Sequence, residues 1–146
     1  MKTFEEWIEI YEKKSGDKHE VPRRAITLFD ANRGFLVFTV FPDKSALLVC
    51  ETCGDGVYWY EKCIKICREH NIPKLMTICT RKIIPYIKLM RGTITEKKIE
   101  KKIAGNKHFY AYRIKGVNHF GKPFDCFGAW YDHEKRRSAY YVVTEV

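Results

Sequence analysis

Cys50-Glu51-Thr52-Cys53-Gly54-Asp55-Gly56 is the stretch on which the reading of this chain turns. The apolar run Ser45-Ala46-Leu47-Leu48-Val49 leads into it, and a helical pattern starts at Val57. An apolar run closed by two glycines one residue apart, with helical spacing straight after, predicts a strand, a tight turn and a helix. Such a junction exposes backbone N–H groups at the positive end of a helix, where anions are held. The same glycines also suit a plain turn that they merely allow to bend.

The pattern continues on both sides. Downstream, Tyr60, Cys63, Ile64 and Cys67 fall at i, i+3, i+4 and i+7, which is one helix face, and Asn71 is a suitable stop. Pro73-Lys74 opens a buried strand, Leu75 to Cys79, and a short helix follows with Ile83, Ile84, Ile87 and Met90 on one face and Gly92 closing it. Strand, helix, strand at these lengths implies a parallel pair with a right-handed crossover. Upstream, residues 3–14 read as an amphipathic helix, and residues 24–29, 35–41 and 45–52 as an antiparallel meander with short turns. Residues 93–102 fit either helix or strand. Gly105-Asn106 reads as a hairpin turn into the strand His108 to Ile114, residues 116–128 as loop, and 129–144 as a final hairpin.

With 146 residues, 45% apolar and 14% aromatic, the chain is expected to fold as one domain around a packed core. It holds no apolar run of the roughly 18 residues that a membrane span needs, and Met1 to Glu6 lack an apolar signal core. A soluble cytoplasmic protein with no membrane partner is the expectation. The net charge of +9 is uneven: residues 1–80 hold 12 Lys/Arg and 12 Asp/Glu, whereas residues 81–146 hold 15 and 6. A basic half attracts nucleic acid, an acidic protein or a polyanionic cofactor, or is simply a solvated surface. The spacing of Cys50, Cys53, Cys63 and Cys67 imitates a four-ligand zinc pattern. Cys63 and Cys67, however, lie on the apolar helix face, so the expectation is buried thiols and no metal.

The order of elements resembles the GNAT family of N-acetyltransferases, in particular divergent members found in phages and prophages. Residues 20–115 carry the resemblance. Glu51-Thr52-Cys53-Gly54-Asp55-Gly56 is set against the family's Gln/Arg-x-x-Gly-x-Gly/Ala, and Cys67 to Leu75 against its helix-to-strand passage. The resemblance implies an α/β, GNAT-like fold: a mixed, mostly antiparallel sheet with a central splayed parallel pair and helices on both faces. It takes in residues 1–146 as one domain, with 116–146 as a C-terminal extension. It further implies an acyl-CoA-dependent N-acyltransferase acting on an unknown amine or protein acceptor, with acetyl-CoA as cofactor. Val49, Cys53, Gly54, Asp55, Gly56 and Val57 would bind that cofactor, aided by Arg81 or Lys82. Tyr86 on the short helix would be the acid, and Glu51, the nearest carboxylate, the base. Glu51 stands where the family has Gln or Arg, which sets a carboxylate beside a diphosphate.

The other reading is a catalytically inactive GNAT-like protein that binds an acidic protein partner or nucleic acid. Lys107-His108-Phe109-Tyr110-Ala111-Tyr112-Arg113 interleaves cations with aromatics, the pattern of a surface that stacks on bases and contacts phosphates. Strand alternation puts Phe109, Ala111 and Arg113 on one face and Tyr110, Tyr112 and Ile114 on the other, so one aromatic set is expected in the core.

Overall fold

The computed structural model of the chain describes residues 1–80 and 82–146, so Arg81, expected to aid cofactor binding, lies outside the described residues. The elements run α1 (Phe4–Ser15), β1 (Ile26–Asp30), β2 (Gly34–Val40), β3 (Leu47–Gly54), α2 (Gly56–Glu69), β4 (Lys74–Cys79), α3 (Ile83–Leu89), β5 (Thr93–Ala104), β6 (Lys107–Val117), β7 (Pro123–Asp132) and β8 (Arg137–Glu145). This is an α/β chain whose strands pair mostly antiparallel, with one parallel pair. It divides into two compact units, Met1–Leu75 and Met76–Val146. Among the described residues no helix is long and apolar enough to cross a membrane.

In the first unit, α1 starts where Thr3 can cap it. Thr3 Oγ1 accepts from the Glu6 amide at 3.2 Å, and the Glu6 carboxylate accepts from the Thr3 amide at 3.1 Å. This reciprocal pair satisfies two donors that the first turn leaves open. Gly16, at φ 74°, ends the helix in the left-handed region that suits glycine. Phe4, Trp7, Ile8 and Tyr11 pack on Phe35, Val37 and Cys53, with Phe4 and Phe35 edge to face at 5.4 Å. Burying a side chain such as Phe35 completely stabilises the fold by ~1.5–3 kcal/mol.

Strands β1, β2 and β3 form the expected meander. Val37 pairs with Glu51 and Phe38 with Val49, so Cys50 is an extra residue that bulges from β3. Phe35 and Val37 face α1, while Phe38 and Val40 face the other side, where Ile66 of α2 lies. The buried stripe of α2 is Trp59, Tyr60, Cys63, Ile64 and Cys67, which includes all four residues read from the spacing.

The expected glycine turn is where the structure departs from the sequence reading. Instead of stopping at Thr52, β3 continues through Gly54, and only Asp55 separates it from α2. Gly54 (φ 103°) pairs with Gly34 (φ 98°) across the strands. A Cβ on Gly34 would stand 1.9 Å from the Cys53 carbonyl oxygen, and one on Gly54 2.2 Å from that of Arg33. The glycines are there because two backbones touch.

The second unit takes in β4 from Met76 onward and has the strand order β4-β8-β7-β6-β5, of which the last four form an antiparallel meander. Its core gathers Ile83, Ile87, Met90, Ile114, Phe124, Cys126 and Val142. Ile84, expected on the buried face of α3, is 39% exposed. The left-handed residue after α3 is Arg91 (φ 50°), not Gly92. Gly92 is small because the Phe124 ring lies over it: a Cβ on Gly92 would stand 2.8 Å from that ring, and one on Gly116 2.5 Å. Residues 116–128 are therefore mostly strand rather than loop. Gly116 makes room for the Thr93 carbonyl oxygen and the Phe124 ring and Gly128 for the Tyr141 ring, and the turn itself is confined to Asn118–Lys122, where the side-chain carbonyl of buried Asn118 accepts from the Phe120 and Lys122 amides.

We expect Gly34→Ala or Gly54→Ala to lower the unfolding free energy by ~3 kcal/mol or more, because neither backbone can retreat. Gly121→Ala also sits at positive φ (76°) but meets nothing within 4 Å; it is expected to cost only ~1 kcal/mol. Urea unfolding of the three variants checks this, and equal losses would remove the backbone contact as the cause.

Candidate functional site

The junction of β3 and α2 is built around one carbonyl. Arg33 O accepts from the Asp55 amide at 2.9 Å and from the Trp59 indole N–H at 2.8 Å. These bonds tie the end of the β1–β2 turn to the first turn of α2. Asp55 is the N-cap: its Oδ1 accepts from the Tyr58 amide at 3.1 Å, and Arg33 pairs with its Oδ2 at 2.5 Å. The Tyr58 amide, followed by the Arg33 guanidinium, holds the Asp55 carboxyl below the ordinary carboxylate value. The anion at this helix end is the chain's own side chain. Gly56 starts the helix and Val57, 38% exposed, follows it. The end of α2 thus does not fit a diphosphate with Asp55 in this position.

Glu51 is also committed. It is buried on the α1 side of β3, with Oε1 2.6 Å from His19 Nδ1 and Oε2 accepting from the Glu20 amide at 2.8 Å. The Phe4 and Phe35 rings stand edge-on to the imidazole at 5.8 and 5.6 Å. This pair clamps the segment between α1 and β1 to the sheet. Val49 lies inside β3 opposite Phe38, and Cys53 packs under α1 with its Sγ 3.7 Å from the Trp7 carbonyl. Tyr86 is half-buried on α3, in the second unit. Burial pushes the thiols of Cys63 and Cys126 up to about 12 and that of Cys67 to about 11. Neutral thiols are poor nucleophiles and poor metal ligands. Among the described residues no group of three or more His, Cys, Asp or Glu is placed to hold a metal ion.

A different set of residues converges in the second unit. β5 and β6 pair along eleven positions, from Thr93↔Val117 to Ala104↔Lys107. β6 pairs with β7 only over Ile114–Val117. From Lys107 to Arg113 the two strands therefore form a ribbon whose only strand partners, among the described residues, are each other, and β5 ends the strand order. Residues 93–117 carry seven Lys/Arg against two Glu. Lys97 and Lys101 lie on one face, with Tyr110 directly across from Lys101 and Tyr112 across from Ile99. Lys98, Lys102, Arg113 and Lys115 lie on the other, where Glu100 bridges Lys98 and Lys102 at 2.9 and 3.0 Å. Those two hydrogen bonds hold the Glu100 carboxyl down at about 2. A recess of about 520 Å³ opens here, lined by Glu96, Lys97, Lys98, Arg113 and Lys115.

Both of the alternating sets are partly packed: Phe109 is half-buried with its ring 5.9 Å from that of Tyr131 and Ala111 is buried on one face, while on the other Tyr112 stands edge-on to Tyr140 at 6.0 Å and Tyr110 is 56% exposed. The sequence patterns do not single out His19 or the cations of β5 as functional residues. For the second, the excess of positive charge after residue 80 is the signal that points there. Comparison with protein-family models, curated proteins and solved structures finds no match for this chain.

Asp55→Ala is expected to cost ~1 kcal/mol through the lost cap, and Asp55→Asn less. Because the folded carboxyl titrates below its ordinary 3.8, its contribution is complete above that pH and disappears as pH falls through the lower, folded value. The side chain is 36% exposed, so added salt should shrink the Arg33 part. Urea midpoints of wild type and variant between pH 7 and pH 2 measure both. Glu51→Ala, which strands His19 and the Glu20 amide, should cost more, ~2–3 kcal/mol.

Proposed function

We propose that this chain is a nucleic-acid-binding protein that presents the β5–β6 ribbon to the phosphate backbone. One observation carries the reading: β5 is exposed along both faces, and the β5–β6 pair presents cations on both. A duplex major groove of ~12 Å admits a two-stranded ribbon, whose outward side chains then meet phosphates on either side. Lys97 and Lys101 lie on one face, and Arg113 and Lys115 on the other. Tyr110 offers a ring for stacking beside Lys101. An acidic protein strand would use the free edge of β5 and leave the cations of β6 idle, which favours nucleic acid over such a partner.

A second reading, an acyl-CoA-dependent N-acyltransferase of GNAT-like fold with a splayed parallel pair, draws on one feature. The step from β3 to α2 is a single residue, with Gly56 offering a bare backbone at the helix start. It requires Asp55 to leave the cap. It ranks second for that reason.

Fluorescence anisotropy with labelled duplex DNA, duplex RNA, single-stranded DNA and polyglutamate separates these readings. Four phosphate contacts would give a slope of log K against log salt of about −3.6 on duplex DNA. Lys97→Glu with Lys101→Glu should reduce that slope and weaken all nucleic-acid ligands alike. Tight binding of polyglutamate with none to nucleic acid would move the ribbon to an acidic protein partner. Acetyl-CoA or CoA at ~100 times its Kd would add ~2.7 kcal/mol of stability; an unchanged melting temperature at millimolar CoA removes the acyltransferase reading.

A further inference from the structure

The first unit holds a second concave surface, built from residues that neither reading uses. β2 is buried from Gly34 to Phe38, whereas β1, the outer strand, has only exposed and half-buried positions. Between that outer strand and α2, Ile26, Leu28, Phe38, Val40, Ile66 and Ile72 enclose an open groove of about 470 Å³. Phe38 and Ile72 form its closed side, at 4% and 3% exposure, while Ile26 stands 50% open at its mouth. The remaining lining residues are Lys44, Lys62 and His70, and no carboxylate is among them.

We propose that this groove binds a linear amphiphile with an anionic head and an aliphatic tail, of the chemical class of a medium-chain fatty carboxylate. Its size lies within the ~300–1,000 Å³ of small-molecule sites, and its walls are apolar with few polar groups, as such sites require. The cations are placed at its rim. Lys62, Ile66 and His70 recur every four residues and so form one stripe along α2, about 12 Å from first to last. Lys44 is carried on a turn fixed by its own amide, which donates to the Phe41 carbonyl at 2.8 Å. Lysine stems can line the apolar groove while their ammonium groups meet a carboxylate at the edge. Asp43 accepts from the Ser45 amide at 2.9 Å, and Glu69 pairs with Lys65 off this stripe. The groove is complementary in charge to an anion and in walls to a chain.

The test is a titration of the ¹⁵N-labelled full chain with decanoate and with decyltrimethylammonium, both below their micelle concentrations, followed by amide shifts. Decanoate should bind saturably, with shifts grouped on Lys44, Lys62, Ile66 and His70. Its affinity should exceed that of the cationic analogue by about ten-fold or more. Lys62→Glu, a surface change that should leave the spectrum folded, should weaken decanoate about ten-fold and bring the two heads together. Equal affinity of the two heads in the wild type, scattered shifts, or no saturation would overturn the proposal. So would concentration-dependent self-association, seen by sedimentation and abolished by Ile26→Asp in a chain that takes no decanoate. That outcome would make the groove a contact between copies.

Discussion

The contact between the backbones of Gly34 and Gly54 is the constraint on which the first unit depends. It brings the start of β2 and the end of β3 closer than any side chain would permit. That approach puts the Arg33 carbonyl within reach of both the Asp55 amide and the Trp59 indole. Three consequences follow from one close approach: the meander closes, α2 begins without a loop, and the helix end is capped by the chain's own acid. Gly54, which with Gly56 suggests an anion cradle, is in the folded chain a point where β3 presses against Gly34 of β2.

The second unit is organised by a different rule. Its core lies where β6, β7 and β8 pair side by side and Phe124 presses on Gly92 and Gly116. Beyond Ile114 the β5–β6 pair leaves this packing and is held by its own ladder, by the Phe109–Tyr131 and Tyr112–Tyr140 ring contacts, and by the Lys98–Glu100–Lys102 chain. The separation of charge between the two halves is thus mirrored in the fold. The neutral half supplies two helix-covered faces and a groove, and the basic half supplies an exposed ribbon.

Elements with a local cause are legible in the sequence. The amphipathic pattern of α1, the α2 stripe and the Gly105-Asn106 turn are written in residues a few positions apart. What cannot be read there has causes distant in sequence. Gly116 and Gly128 look like loop residues, yet Gly116 answers to the Thr93 carbonyl oxygen and the Phe124 ring, and Gly128 to the Tyr141 ring. Glu51 looks like a free carboxylate at a strand end, but His19, 32 positions earlier, holds it. Residues 93–102 are ambiguous because a strand exposed on both faces has no alternation to display. The charge excess after residue 80 points toward a polyanion surface, but only the ladder of β5 and β6 shows which side chains share a face.

The ribbon's outer strand also governs how copies of the chain meet. β5 is twelve residues long, and among the described residues no strand pairs with its outer side, so a row of backbone donors and acceptors lies open to any extended chain. Edges of this kind seed fibrous aggregation. Here Lys97, Lys98, Lys101 and Lys102 line that row, so a second copy approaching edge to edge would meet its own positive charge. The strand best placed to template stacking is the one whose side chains oppose it, and colloidal stability at high protein concentration rests on those four ammonium groups remaining charged.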